Sequence, residues 1–468
     1  MTPARPRRCN GRVLIHRAGR RPTIRQLTRP AYLFGRRAGW FAGWLAAAGW
    51  AGAFPFTSGL APHRSWGAVA ATGYLAAAVA VLVVPWRRAR PVSVAVATAG
   101  AVVVPLLGLA LTGQGQSEVT VIERSAALLL EHGSPYLAEP LTVTDYTPYL
   151  PAMALLGLPR ALLGADGWPA RLFGDARLWC AAVLIGCLWA TGRPYRRGLA
   201  LLAASPLVAL PLCVSGVDLP MTGLCCLALA LGARGRPGAA GLALALACSL
   251  KWTAWPAVAV TAALLAATAG RRAALRGTAV AVAGTAALVL PVALRSPGPL
   301  VRQVFAFPTG RGGLPTPAGS PLPGRLLADL GPAGWYAAVG LLLLAGLAVA
   351  GSLAVHPPRD AAGAADRLAL GLCLAFLLAP AGRFGYLALP LVLVVWARVP
   401  AVPRPSPRTA PLPRTAPALG APPASPHSTR PLHSTHLPHS TDRRTEVAPT
   451  PWPAHSSSPM TSRPGRAA

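Results

Sequence analysis

Two ionisable side chains stand in apolar surroundings. Lys251, in ACSLKWTAWP (247–256), is the only lysine; the remaining 43 of the 44 basic residues are arginines. Glu118 opens SEVTVIERSAALLLEHGSPY (117–136), directly after a long apolar block. The pattern predicts a helix over 118–131, ended by Gly133 and Pro135. Val119, Ile122, Ala126, Leu129 and Leu130 then share one face, with Thr120, Glu123, Arg124 and Glu131 on the solvated side, as in a helix lying on a membrane surface. At about 100° per residue, Glu118 projects with Ile122 and Leu129. A carboxylate on that side is desolvated unless paired, and it gains proton affinity, which suits a general base. The first turn of a helix also favours negative charge for its own sake, so both readings stay open. An ammonium at mid-bilayer costs about 2.5–3.5 kcal/mol on insertion scales. Lys251 therefore calls for a partner, or snorkels to the interface beside Trp252 and Trp255.

The elements that position these groups are membrane helices. The chain has 468 residues, 53% hydrophobic and 12% charged, against about 25% charged in soluble domains; its mean hydropathy is +0.47. The expected class is an all-α polytopic membrane protein. The net charge of +31 is uneven: no Asp or Glu precedes Glu118, and only Asp442 and Glu446 follow Asp366. The arginines gather in short loops and tails, the positive-inside pattern of membrane proteins and not a nucleic-acid-binding surface. The eight cysteines lack metal-ligand spacing and read as small apolar residues. No cofactor or metal is expected.

Spans are expected at 38–56, 66–85, 92–112, 175–192, 197–214, 219–233, 273–294, 333–355, 367–380 and 384–397. The block 238–270 is flanked by arginine on both sides and is too long for one crossing, so it reads as a two-helix hairpin broken by Pro256. Lys251 then lies near the outer apex, at the membrane surface. The segment 149–163, short and carrying Pro151 and Pro159, reads as re-entrant or surface-lying. The sum is about twelve transmembrane helices with both termini cytoplasmic. Residues 1–37 form a basic disordered tail, 38–91 two N-terminal spans, and 92–397 a transmembrane domain with a large outer loop at 113–174. Residues 398–468 are low complexity, with RTAP twice and HST three times, and read as a disordered cytoplasmic tail.

Several short motifs follow one another in that loop and beyond it: Glu118, Gly133-Ser134-Pro135-Tyr136, Tyr146-Thr147-Pro148, Ala-Arg-Leu opening the next helix, and then Lys251 with Pro256. In order and sidedness the chain, over about 92–397, resembles the GT-C fold glycosyltransferases. More narrowly, it resembles the actinobacterial mannosyltransferases that use polyprenol-phosphate mannose. The first two spans would be an N-terminal addition. The resemblance implies a plasma-membrane enzyme whose outer-face site moves a sugar from a polyprenyl phosphate to a lipid or glycan acceptor hydroxyl. It implies Glu118 as the catalytic acidic residue, the base, with Glu123 the competing match. Asp218 in SGVDLP takes the place of a second outer carboxylate, and Tyr136 and Tyr146 line the substrate side. Lys251 would meet the departing phosphate, with Arg311 and Arg383 as further cations. Glu118, Asp145 and Asp218 could converge on a divalent ion, although their spacing does not demand it. A transporter or lipid flippase, and a non-catalytic membrane scaffold, are the rival readings; a transporter predicts mid-span charges and related halves.

Overall fold

A computed structural model describes residues 29–192, 196–314 and 316–398. The tail expected at 398–468 lies outside these residues from 399 on, as does the basic tail up to residue 28; from Arg29 the chain is already helical. Among the described residues the only β feature is an isolated bridge between Gly319 and Gly382, and the rest is helix and turn. Six helices are long and apolar enough to cross a bilayer: Ala61–Val83, Trp86–Leu111, Trp252–Ala269, Arg271–Arg295, Pro332–Val355 and Ala361–Leu378. Gly167–Phe173 and Ala176–Ala190, bent by 41°, would together make a seventh. The chain is a helical, multi-pass membrane protein. Of the other expected spans, 197–214 is broken into Arg196–Ala204 and Pro206–Val214, and 38–56, within Arg29–Thr57, is not among the helices apolar enough to cross. The spans 219–233, 384–397 and the first arm of the 238–270 hairpin coincide with shorter apolar helices, Leu219–Ala233, Phe384–Arg398 and Pro237–Leu250. A helix of this length covers roughly 21–23 Å, less than a hydrocarbon core of about 30 Å.

Leu219–Ala233 is the centre of the packing: only Leu227 and Ala233 of its residues escape burial. Its sequence is apolar all round but for Thr222, whose hydroxyl donates to the Asp218 carbonyl, and this allows neighbours on every side. The cysteines described here are free, and all but Cys373 are buried, in keeping with their reading as packing residues.

The block 238–270 folds as a hairpin. A methyl group added at Gly277 would meet both the Pro237 carbonyl and Leu265, so the start of Pro237–Leu250 and the end of Pro256–Ala269 lie at one level. The break is not made by Pro256. The chain leaves the helix at Lys251, which is extended (φ −147°, ψ 138°), makes one tight turn over Trp252–Ala254, and restarts with Pro256 in the first turn. Proline is at home there, because that position has no helical acceptor for an N–H. Lys251 stands at the end of the short helix Pro237–Leu250, and its side chain is only 13% exposed. Ala254 in the turn is buried, whereas Trp255 is exposed.

The two N-terminal helices, Arg29–Thr57 and Ala61–Val83, are bolted to the rest. Gly73 and Gly100 meet backbone to backbone; a Cβ at Gly73 would fall 2.6 Å from the Gly100 Cα. Gly100 lies in a π-helical turn, Ala99–Val103, and the Ala101 carbonyl there accepts from the buried Trp66 indole at 2.9 Å. Tyr74 donates to the Ala204 carbonyl at 2.7 Å. Gly73→Ala should lower stability in detergent by about 1–3 kcal/mol, the usual cost of overpacking. A thermal-unfolding midpoint equal to wild type would show that this contact is not tight.

Candidate functional site

The predicted helix forms as Ser117–His132, closed by Gly133 in the left-handed conformation (φ 66°). Its environment differs from expectation. The chain returns over the polar face, and Leu130 is exposed. Segment 151–163 packs so closely that a Cβ at Gly157 would lie 2.4 Å from the Ile122 carbonyl. Glu123, expected in solvent, is 16% exposed and pairs with Arg160 at 3.1 Å. Its other oxygen accepts from the Ala176 amide at 3.2 Å, at the start of the helix Ala176–Ala190. Burial raises its proton affinity, and Arg160 opposes that. Arg124 pairs with Asp145 at 3.4 Å. The Thr142 amide holds the Asp145 carboxyl below its ordinary range. Asp145 therefore does not converge with Glu118 and Asp218, and among the described residues no group of three His, Cys, Asp or Glu side chains is arranged to hold a metal ion.

Glu118 keeps its position on the inward side, in the first helical turn, with 15% of its side chain exposed. It does not stand alone: Arg383 forms an ion pair with it across 265 residues of sequence. Arg383 is extended at the start of a tight turn, Phe384–Leu387. The strip around residues 318–322 clamps it in place: Ser320 N donates to the Gly382 carbonyl and Gly382 N to the Ala318 carbonyl, both at 3.0 Å. Lys251 forms a second ion pair, with Asp218 at the N-terminus of Leu219–Ala233. A helix N-terminus favours a carboxylate, and the pairing answers the ammonium's need for a partner.

The two pairs belong to one cluster. Lys251 Nζ lies 5.0 Å from the Tyr149 ring centroid and 5.9 Å from that of Tyr386, within the reach of cation–π attraction. Lys251 also senses the Glu118 charge, and Tyr149 senses Glu118, Asp218 and Arg383. Burial pushes the Tyr149 phenol well above its ordinary range, and the two carboxylates reinforce this. Four formal charges thus cancel beneath two tyrosines, where helix ends leave backbone polar groups available. Asp218 and Arg383 are the more exposed members, at 32% and 30%.

Loop and helix anchors hold this arrangement. Arg177, almost wholly buried, makes a bidentate pair with Asp175 and donates to the Gln114 and Cys213 carbonyls at 2.8 and 2.7 Å. The chain entering the Glu118 helix is fixed by those bonds. Tyr136 is a strut: its hydroxyl donates to the Tyr149 carbonyl at 2.8 Å. Tyr146 stacks on Phe307, centroids 4.2 Å apart, and Gln303 bridges the Thr147 amide and the Leu137 carbonyl. Arg311 is engaged elsewhere, lying 3.9 Å over Trp335 and 5.6 Å from the Tyr336 centroid.

Of the expected site residues, Glu118, Lys251, Asp218 and Arg383 come together. Tyr136 and Tyr146 support the loop above them, and Glu123 serves the start of a neighbouring helix. Tyr149 and Tyr386 were missed, although each stands three residues after a residue singled out, Tyr146 and Arg383. His63 was missed as well; it lies in the N-terminal helices and senses both Glu118 and Arg383. No known protein family, curated protein or solved structure matches the chain, so the reading of the site rests on its chemistry.

Proposed function

We propose that the chain is a membrane glycosyltransferase of GT-C type, with about twelve crossings and both termini cytoplasmic. It transfers a sugar, mannose by resemblance, from a polyprenyl phosphate to an acceptor hydroxyl at the outer face of the plasma membrane. The observation that carries the reading is the cluster itself: two carboxylates and two cations from four separate parts of the chain, paired beneath tyrosines at the ends of apolar helices. Sugar transfer needs both charges. The acceptor oxygen attacks the anomeric carbon and Glu118 takes its proton. The bond from that carbon to the phosphate oxygen breaks, and the charge left on the lipid phosphate is met by Lys251, with Arg383 close by. An arriving phosphate competes with Asp218 for the ammonium, so the pair stores the cation in a form that does not repel lipid.

An apolar groove of about 450 Å³ beside the hairpin supports a lipid carrier. Its lining includes Cys248 and Trp255, three residues before and four after Lys251, with Val258, Val282, Val289 and Leu290.

The test is a transfer assay on the purified protein in lipid nanodiscs, with polyprenyl-phosphate mannose and candidate glycolipid or glycan acceptors. Mannosylated product with release of polyprenyl phosphate is the expected result. Movement of the carrier between leaflets without product would point to a flippase. Binding with neither outcome would leave a scaffold.

A further inference from the structure

The two N-terminal helices read as an addition to the sugar-transfer domain, yet they reach the charged cluster. The inward stripe of Ala61–Val83 is Trp66, Ala70, Tyr74, Ala77 and Val81, each with no exposed surface. One turn earlier on that stripe stands His63. Its Nε2 lies 2.5 Å from the Gln116 side-chain amide. Gln116 is the residue before the Glu118 helix, and its own amide donates to the Val214 carbonyl at 2.8 Å. The edge of Phe54 packs against the imidazole, with centroids 5.6 Å apart. The charged groups that act on His63 are Glu118 and Arg383; Gln116 and Phe54 are neutral.

We propose that His63 is a positioning residue of the transfer site, holding the entry to the Glu118 helix through Gln116 and placing a titratable charge beside the Glu118–Arg383 pair. The two N-terminal helices are then a wall of the site and not only an anchor. The inference rests on Glu118 as the proton acceptor. A neutral imidazole accepts from the Gln116 NH₂, whereas an imidazolium is met by its carbonyl after an amide flip. The sign follows from charge. A protonated His63 is a second cation facing a carboxylate that has to receive a proton, so transfer is slower in acid and rises as the ring loses its proton.

His63→Gln keeps an amide partner for Gln116 and cannot be charged, whereas His63→Ala loses both functions. Expected for His63→Ala is a drop in kcat of roughly tenfold with donor KM within about twofold. His63→Gln should recover most of that loss and flatten the acid limb, so that the ratio of rates at pH 7.5 and 5.5 falls by about three- to tenfold. Tyr74→Phe, which removes a hydrogen bond on the same helix, should lower thermal stability and leave the pH profile alone. The proposal is overturned if His63→Gln retains the wild-type acid limb, or if Tyr74→Phe reshapes it equally. A wild-type protein with no transfer at any pH overturns the transferase reading itself; an active wild type with an unaltered His63→Gln profile overturns this inference alone.

Discussion

Glu118→Gln is expected to reduce sugar transfer by about 10²–10⁴-fold, the usual contribution of a positioned base, and to leave donor binding close to wild type. Glutamine keeps an oxygen for Arg383 and nearly the same volume, but its amide takes no proton. The loss should fall on kcat, with KM little changed, because the interaction removed is made only as the acceptor proton moves. Arg383, 30% exposed, is left with a weaker neutral partner, and the stability cost should stay near 1 kcal/mol. Glu123→Gln is the informative comparison. Glu123 is tied to Arg160 and the Ala176 amide, so its loss is expected to appear in thermal unfolding before it appears in turnover. A Glu118→Gln protein at full rate, or one outperforming Glu123→Gln, would reverse the two roles.

That assignment combines what periodicity reveals with what it does not. Hydrophobic blocks located the helices closely: 219–233, 273–294 and 333–355 became Leu219–Ala233, Arg271–Arg295 and Pro332–Val355. Apolar length is a local property, and the bilayer selects on it directly. The hairpin followed from arginine on both flanks. Its break was misplaced because proline is a stronger printed signal than a lysine that exits a helix to reach a carboxylate. Pairing is non-local, so neither Arg383 with Glu118 nor Lys251 with Asp218 is legible in the sequence, although each of the four residues stands out there on other grounds. The Ser117–His132 helix shows the same limit. An isolated wheel placed Glu123 and Arg124 in water, whereas Asp145 and Arg160, further along the chain, cover them. His63 has no sequence signal, because the first two spans resemble an appendage; only their packing through Gly73, Trp66 and Tyr74 brings it to the cluster.

Lys251→Met should be damaging in two separable ways, one in turnover and one in stability. Removing the ammonium takes away the charge that meets the departing phosphate, for which about 10²–10³-fold in kcat is the usual cost of losing one preorganised electrostatic contact. It also strands Asp218. Breaking a fully buried pair costs about 3–5 kcal/mol; Asp218 is 32% exposed, so water recovers part of this, and about 1–3 kcal/mol is expected. A double variant, Lys251→Met with Asp218→Leu, divides the two effects. An apolar pair of similar volume is often as stable as the ion pair it replaces, so the double variant should regain wild-type thermal stability. Transfer should remain as low as in Lys251→Met, because no apolar packing substitutes for a cation at the phosphate. Recovery of both would mean that Lys251 serves only to balance Asp218, and the phosphate role would be lost. Recovery of neither would mean that the tyrosine cage around the ammonium, not the ion pair, holds this part of the fold. The expected split, stability regained without turnover, is what distinguishes a lysine retained for chemistry from one retained for architecture, in a chain that uses arginine for every other positive charge.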